Sequence, residues 1–206
     1  MRIAPSRRFR NLREGEGERM KNILLTGRPG VGKTTVIMRA LELLPSVRAT
    51  GFYTRELRGP RGRLGFEAVT LDGRRRTLAH VNFKGPRRVS KYGVDVEGFE
   101  EAIVPSVDPA LHPQAQLIVV DEIGKMECFS AKFRETVVRA LDSDIPVLGT
   151  IGLRGSAFIR SLKRRDDVEV VEVTRANRDH LPERLAKMLS ECLALTLPQV
   201  SKPAGG

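Results

Sequence analysis

The chain has 206 residues, of which 40% are hydrophobic and 30% charged, a composition typical of one globular domain with a sizeable core. No apolar run approaches the roughly 20 residues that cross a bilayer, so the sequence excludes a membrane-spanning helix. The formal net charge is +11, which makes nucleic acid a candidate partner. The basic excess falls in residues 1–91, whereas residues 92–206 carry 14 basic and 18 acidic side chains. Aromatic residues are 5% and tryptophan is absent, which weakens the case for base stacking.

The cysteines and the N-terminal segment indicate where the protein works. Residues 1–20 are basic but lack the apolar segment of a secretory signal. The two cysteines, Cys128 and Cys192, form neither a disulfide framework nor a CxxC metal spacing. We therefore predict a cytoplasmic protein in a reducing compartment, and we expect a monomer that binds no membrane.

Between two predicted flexible tails, residues 1–20 and 198–206, the sequence predicts a single folded domain over residues 21–197. The elements in chain order are a strand at 23–26, a helix at 33–44, strands at 51–54, 64–71 and 77–81, a helix at 94–103, a strand at 116–121, a helix at 131–141, a strand at 145–151, a helix at 156–165, a strand at 168–173 and a helix at 181–197. This alternation is typical of an α/β fold with a mostly parallel sheet and helices on both faces. Turn signals predict an antiparallel hairpin insertion over about residues 50–82.

A glycine-rich turn joins the first strand to the first helix, and its sequence is Gly27-Arg28-Pro29-Gly30-Val31-Gly32-Lys33-Thr34, followed by Thr35. The first eight positions match G-x-x-x-x-G-K-[ST] in full. Glycines let the backbone N–H groups converge on a polyphosphate, and the helix N-terminus adds partial positive charge. Lys33 is expected to reach the β- and γ-phosphates, and the Thr34 hydroxyl to bind Mg²⁺. The pattern predicts a nucleotide site over residues 27–35.

A second apolar strand ends in two acids, Asp121 and Glu122. In an open parallel sheet this carboxyl edge is where ligands bind. We expect Asp121 to hold the Mg²⁺ shell and Glu122 to deprotonate a water in line with the γ-phosphate. The following Ile123 and Gly124 complete the predicted nucleotide-binding set. The alternative is an ordinary loop start, or an acid pair at a helix N-terminus.

Several segments together resemble a known family. They are the phosphate loop, Asp121-Glu122-Ile123-Gly124-Lys125-Met126-Glu127, Gly51-Phe52-Tyr53-Thr54-Arg55-Glu56, Lys91-Tyr92-Gly93-Val94 and Val173-Thr174-Arg175-Ala176-Asn177-Arg178-Asp179. Over residues 21–196 the chain resembles the cytosolic nucleoside-triphosphatase family of thermophiles, whose human member is called cancer-related nucleoside-triphosphatase. The resemblance implies a RecA-like P-loop domain, a three-layer sandwich with a central sheet and an antiparallel insertion.

The resemblance also implies an activity. It is Mg²⁺-dependent hydrolysis of nucleoside triphosphates such as ATP and GTP to diphosphates, with broad base tolerance and slow turnover. Carried over by position, residues 27–35 bind the phosphates and Asp121 serves the metal. Glu122 is then the general base, and Lys33 is the second catalytic residue.

Four further residues each have two interpretations. Lys125 either approaches the γ-phosphate or is a solvated loop residue. Arg154 or Arg160 is a candidate arginine finger, with surface ion pairing as the favoured alternative. Asn177 either flanks the base of the nucleotide or caps a helix, and capping is slightly favoured.

Two other functions stay open at this point. A small nucleotide or nucleoside kinase would share the phosphate loop, but the adjacent acids favour water activation and the sequence shows no arginine-rich lid segment. A nucleic-acid-linked P-loop module would account for the net charge.

Overall fold

The computed structural model describes residues 21–60 and 62–196, so both predicted tails lie outside the described residues. The strands are β1 Asn22–Thr26, β2 Ala49–Gly59, β3 Gly62–Thr70, β4 Arg75–His80, β5 Arg88–Val89, β6 Tyr92–Val94, β7 Leu117–Ile123, β8 Val147–Ile151 and β9 Val168–Glu172. The helices are α1 Lys33–Glu42, α2 Val96–Ala102, α3 Ala131–Asp142, α4 Ala157–Leu162 and α5 Leu181–Thr196. Short 3₁₀ turns occupy Val104–Val107, Pro109–Leu111 and Glu127–Phe129.

All nine strands of the described chain join one sheet, in the order β5-β6-β4-β3-β2-β7-β8-β1-β9. The strands from β2 to β9 in that order are parallel. The strands from β5 to β2 pair antiparallel and extend the same sheet sideways. The antiparallel part reaches Val94, beyond the hairpins that the turn signals indicated. The sequence pattern did not predict β5 and β6, because strands of two and three residues are too short to show an alternation.

The order of the parallel strands decides which side chains meet at the ligand edge. β8 lies between β1, which precedes the phosphate loop, and β7, which carries the two acids. Because the five strands are parallel, all their carboxyl ends lie at one edge. Residues from β1, β7 and β8 therefore converge there, although they are far apart in sequence.

Two apolar layers cover the two faces of this sheet. α1 and α5 pack on one face against Leu25, Val119 and Leu148. α2, α3 and α4 pack on the other face, against Ile118 and Val120. Alternate residues of β7 thus point to opposite layers, as the two-residue period of a strand requires. The result is the three-layer arrangement that the alternating pattern predicts.

An aromatic cluster links the first strand of the antiparallel part to the helices beneath it. Phe52 lies edge-on to Phe99 and Phe133, with ring centroids 5.6 and 6.1 Å away, and the latter two are 5.3 Å apart. All three side chains are fully buried. Such pairs contribute about 0.5–1.5 kcal/mol each beyond area burial, so the cluster fixes β2 relative to α2 and α3.

Gly51 of β2 lies where the backbone of β7 approaches most closely. A Cβ atom built on Gly51 would lie 1.9 Å from the carbonyl oxygen of Val119, and its φ is +111°. Gly62 has the same φ of +111°, but no atom of the described residues beyond its chain neighbours lies within 4 Å of the equivalent Cβ position. The two glycines therefore separate the cost of the left-handed backbone from the cost of steric contact.

We predict that Gly51→Ala destabilises the fold by roughly 3 kcal/mol or more, because the strain is joined by a clash with backbone that cannot move away. Gly62→Ala is the matched control and should cost only about 1–2 kcal/mol. Urea unfolding of the three proteins measures both changes. Equal losses for the two variants would show that the β2–β7 contact imposes no constraint.

Candidate active site

The phosphate loop forms a concave turn between β1 and α1. Gly27, Gly30 and Gly32 have φ values of 148°, 75° and 106°, which L side chains rarely adopt. The first intrahelical hydrogen bond runs from the N–H of Val36 to the carbonyl of Gly32, at 2.9 Å. The backbone therefore has the left-handed positions that the sequence pattern predicts for a loop of converging N–H groups.

Two side chains from the start of α1 point back toward the sheet edge. Lys33 Nζ donates a hydrogen bond to the carbonyl of Gly27 at 3.3 Å, so its ammonium lies across the loop. Thr34 Oγ1 donates to Asp121 Oδ2 at 2.7 Å. This second bond joins the phosphate loop to the acidic end of β7.

Asp121 is held from two sides. Its other oxygen, Oδ1, accepts a hydrogen bond from Thr150 Oγ1 of β8, also at 2.7 Å, and the residue is only 1% exposed. Burial raises the pKa of Asp121, and the hydrogen bonds from Thr150 and Thr34 partly oppose that rise. The carboxylate is thus fixed in position, with its negative charge destabilised by desolvation.

Glu122 is the next residue of β7 and is half-buried. Burial raises the pKa of its carboxyl group; Lys33 lowers it, and the neighbouring Asp121 raises it further. Within the described chain no residue donates a hydrogen bond to this carboxylate. A base that must orient a water molecule needs accessible oxygens of this kind.

A third acid, Glu127, lies behind Glu122. It is 5% exposed, and its Oε2 accepts a hydrogen bond from the N–H of Gly124 at 3.1 Å. A Cβ atom built on Gly124 would lie 2.8 Å from this oxygen and 3.1 Å from Glu122 Oε1, so both carboxyl groups lie close to Gly124. Desolvation, and then the charge of Glu122, raise the pKa of Glu127 to about 8.

The structure brings Lys33, Thr34, Asp121 and Glu122 together at one edge, as the strand order requires. Lys125, three residues beyond Glu122, is exposed in the loop after β7. Both interpretations of that lysine remain open.

The remaining candidates make local contacts. Asn177 Oδ1 accepts a hydrogen bond from the N–H of Thr174 at 2.8 Å, and its Nδ2 donates to the carbonyl of Glu172 at 2.9 Å. The amide therefore closes the turn after β9. Arg160 donates to the carbonyl of Gly155 at 2.8 Å. Among the described residues, no ion pair involves Arg154 or Arg160, so the favoured surface ion pairing is not seen for either.

Two residues at this edge, Thr150 and Glu127, were not singled out from the sequence, whereas Arg178 lies beside Asn177 in a segment that carries the family resemblance. Thr150 and Glu127 contact the acidic end of β7, and Arg178 Nη1 donates to the carbonyl of Val31 in the phosphate loop at 3.4 Å. Thr150 could have been found only from the strand order. Glu127 gave a signal, because it lies in the segment that carries the family resemblance, but its burial did not follow from the pattern.

Comparison with known proteins gives consistent results. A family described as NTPase matches residues 22–186. The chain is 48% identical over 174 residues to the nucleoside-triphosphatase THEP1 of Natranaerobius thermophilus, covering 84% of this chain and 98% of that protein. It is 41% identical over 175 residues to the cancer-related nucleoside-triphosphatase of Homo sapiens, covering 78% of this chain and 92% of that protein.

Two solved structures resemble the fold. The crystal structure of THEP1 from Aquifex aeolicus matches with a TM-score of 0.74 and 35% identity, covering 82% of this chain and 98% of that one. The solution structure of a human cancer-related nucleoside triphosphatase matches with a TM-score of 0.71 and 39% identity, covering 83% and 98%.

The three-layer sandwich, the phosphate loop and the acidic edge define a P-loop NTPase. More specifically, the chain belongs to the NTPase family that includes the THEP1 nucleoside-triphosphatases and the human cancer-related enzyme. The family resemblance and the fold class predicted from the sequence are both confirmed.

The burial of Glu127 generates a prediction about pH. Its pKa in the folded protein, about 8, lies above the ordinary value of 4.5, so the folded state binds a proton that the unfolded chain releases. Its contribution to stability is complete below pH 4.5 and is lost as the pH rises through 8. We predict that Glu127→Gln, which keeps an acceptor for the N–H of Gly124, makes the unfolding free energy decline less over that range.

Denaturant unfolding at several pH values measures this change, and Glu135→Gln, an exposed glutamate of α3, is the matched control. The control should keep the wild-type pH dependence. If Glu127→Gln also keeps it, Glu127 is ionised in the folded protein and the assignment is wrong.

Proposed function

We propose that this protein hydrolyses nucleoside triphosphates to diphosphate and phosphate, using Mg²⁺, with Glu122 as the general base and Lys33 as the second catalytic group. The observation that carries the proposal is the 2.7 Å hydrogen bond between Thr34 and Asp121, which joins the phosphate loop to the acidic strand end. Family membership supports the same reaction class.

The donor set at this edge fits Mg²⁺. Thr34 and Asp121 offer hard oxygen atoms beside the loop, which are the ligands that Mg²⁺ prefers. No group of three or more His, Cys, Asp or Glu residues in the described chain forms a metal cage, and Mg²⁺ normally relies on one or two protein ligands, phosphates and water. Mg²⁺ bound by Thr34 and Asp121 would neutralise charge on the β- and γ-phosphates.

Residues at this edge can supply the groups that hydrolysis of the triphosphate requires. Glu122 accepts a proton from water as the water oxygen forms a bond to Pγ, and the bond between Pγ and the β-phosphate oxygen breaks. Lys33 and the backbone N–H groups of residues 27–35 stabilise the negative charge of the transferring phosphoryl group and the diphosphate. Burial of Glu122 raises its proton affinity, which suits a base.

Broad base tolerance and slow turnover are further parts of the proposal. The predicted contacts of residues 27–35 are to phosphates, which all nucleoside triphosphates share, and this supports broad tolerance. Slow turnover rests on the family resemblance.

The cellular location, the oligomeric state and further partners form the last part of the proposal. Within residues 21–60 and 62–196, no helix has both the length and the apolar composition needed to cross a bilayer. The monomeric state and the cytoplasmic location stay predictions from the sequence, as does a nucleic-acid partner.

We predict that the purified protein releases phosphate from ATP and GTP with Mg²⁺ and without an added acceptor. Glu122→Gln should lose about 10²–10⁴-fold in kcat, because a general base typically contributes that factor, yet bind nucleotide normally. Single-turnover phosphate release and nucleotide titration measure the two effects separately.

The matched control is Glu135→Gln, which should hydrolyse as the wild type does. Normal turnover by Glu122→Gln would show that the base is misassigned. Phosphate transfer that requires an added nucleoside or nucleotide would establish the kinase alternative instead.

A further inference from the structure

A cleft of about 540 Å³ lies beside the acidic edge, and none of its lining residues belongs to the phosphate loop. Its walls come from four segments: Arg88–Ser90 of the β5–β6 hairpin, the residues Lys125, Cys128 and Phe129 after β7, Arg134 of α3, and Ser156–Ile159 at the start of α4. We call this the β5–β6 cleft. β7, which carries Glu122, continues through Gly124 directly into its wall.

The cleft belongs to the opposite face of the sheet from the phosphate loop, because Cys128, Phe158 and Ile159 pack in the layer of α2, α3 and α4, whereas Val31 packs in the layer of α1 and α5. The loop joins β1 to α1, whereas the cleft residues follow β7 and β8 or come from the antiparallel part of the sheet. A triphosphate held on the loop with its γ-phosphate near Asp121 and Glu122 would therefore point its terminal phosphate toward this side. This relation rests on the proposed function; the properties of the cleft itself do not.

Among the described residues, the lining includes three cations, Arg88, Lys125 and Arg134, and no acid. Arg88 donates hydrogen bonds to the carbonyls of Phe83 and Lys91, at 2.9 and 2.8 Å, and Arg134 donates to the carbonyl of Cys128 at 2.5 Å. These bonds orient the guanidinium groups without neutralising them. Within the described chain, neither these two arginines nor Lys125 forms an ion pair.

Several other arginines of the antiparallel part are paired with acids. Arg55, Arg63 and Arg76 form ion pairs with Glu67, Glu56 and Asp95. Arg88 and Arg134 differ from these three arginines in having backbone carbonyls, and no carboxylate, as partners within the described chain. Oriented guanidinium groups without carboxylate partners are suited to bind a phosphate group.

The cleft also has aromatic rings. Phe129 and Phe158 are half-buried, so part of each ring reaches the surface of the cleft. The guanidinium of Arg87 lies 5.8 Å from the centroid of the Phe129 ring. Aromatic rings next to cations are the combination that binds nucleobases and phosphates together.

The backbone of the hairpin is strained at this wall. Ser90 has a φ of 54°, the one positive value among the described residues other than glycine. Residues in this region cost of order 1–3 kcal/mol, and they cluster at binding sites. β5 and β6, whose lengths are two and three residues, thus have a specific conformation where they meet the loop after β7.

We propose that the β5–β6 cleft binds a second, smaller nucleotide, a nucleoside monophosphate. Arg88, Lys125 and Arg134 bind its phosphate, and the rings of Phe129 and Phe158 contact its base. The volume lies within the range of about 300–1,000 Å³ that is usual for small-molecule sites.

The test is equilibrium dialysis with radiolabelled AMP and GMP, on full-length protein saturated with Mg²⁺ and a non-hydrolysable triphosphate analogue. The analogue fills the phosphate loop, so any monophosphate retained is bound elsewhere. We expect one monophosphate per chain. Arg88→Gln and Phe158→Leu should each weaken this binding tenfold or more and leave the affinity for the analogue unchanged.

Arg75→Gln is the matched control, because Arg75 is an exposed arginine of β4 that does not line the cleft. It should bind the monophosphate as the wild type does, and thermal melting should show that all variants fold. Absence of monophosphate binding at millimolar concentration would overturn the proposal, and so would wild-type binding by both cleft variants. If inorganic phosphate competes as well as AMP does, the rings of Phe129 and Phe158 do not bind the base, and that part of the proposal is wrong. Each outcome is independent of phosphate release, so a failure here is distinct from a failure of the proposed hydrolysis.

Discussion

The organisation of this edge depends on one buried carboxylate. Asp121 is 1% exposed and accepts hydroxyl hydrogen bonds from Thr34 and Thr150, both at 2.7 Å. These bonds join the start of α1, the end of β7 and the end of β8, which come from three distant parts of the sequence. Because the backbone of Asp121 is continuous with that of Glu122, the same contacts determine where the proposed base lies relative to the phosphate loop.

The electrostatics of the edge follow from this arrangement. Asp121, Glu122 and Glu127 are acids brought close together in a poorly solvated region, and burial raises the pKa of each. Lys33 opposes the effect at the first two. Asp121 and Thr34 still offer hard oxygen atoms beside the phosphate loop, which agrees with the proposed role of Asp121 toward Mg²⁺. The β5–β6 cleft, which lies beyond Glu122, has an excess of positive charge instead, because its described lining contains cations and no acids.

The parts that sequence predicts well are those in which local pattern determines local structure. The β1–loop–α1 unit was predictable because a full eight-position motif lies between an apolar strand and an amphipathic helix. Asp121 and Glu122 could be placed at the ligand edge because they end an apolar run. Thr150 could not, since its contact requires β8 to lie between β1 and β7, and sheet order is a non-local property. β5 and β6 were missed because strands so short contain no readable alternation.

The central claim is that Asp121, positioned by two threonine hydroxyls, holds the metal for hydrolysis. The most direct measurement is the Mg²⁺ dependence of phosphate release by Thr150→Val, which removes one hydroxyl and keeps the side-chain shape. The matched control is Thr136→Val, a threonine of α3 that is likewise buried. We predict that Thr150→Val needs at least about 10-fold more Mg²⁺ than the wild type for half-maximal activity. Thr136→Val should need no more Mg²⁺ than the wild type. A wild-type Mg²⁺ requirement in Thr150→Val would contradict the account.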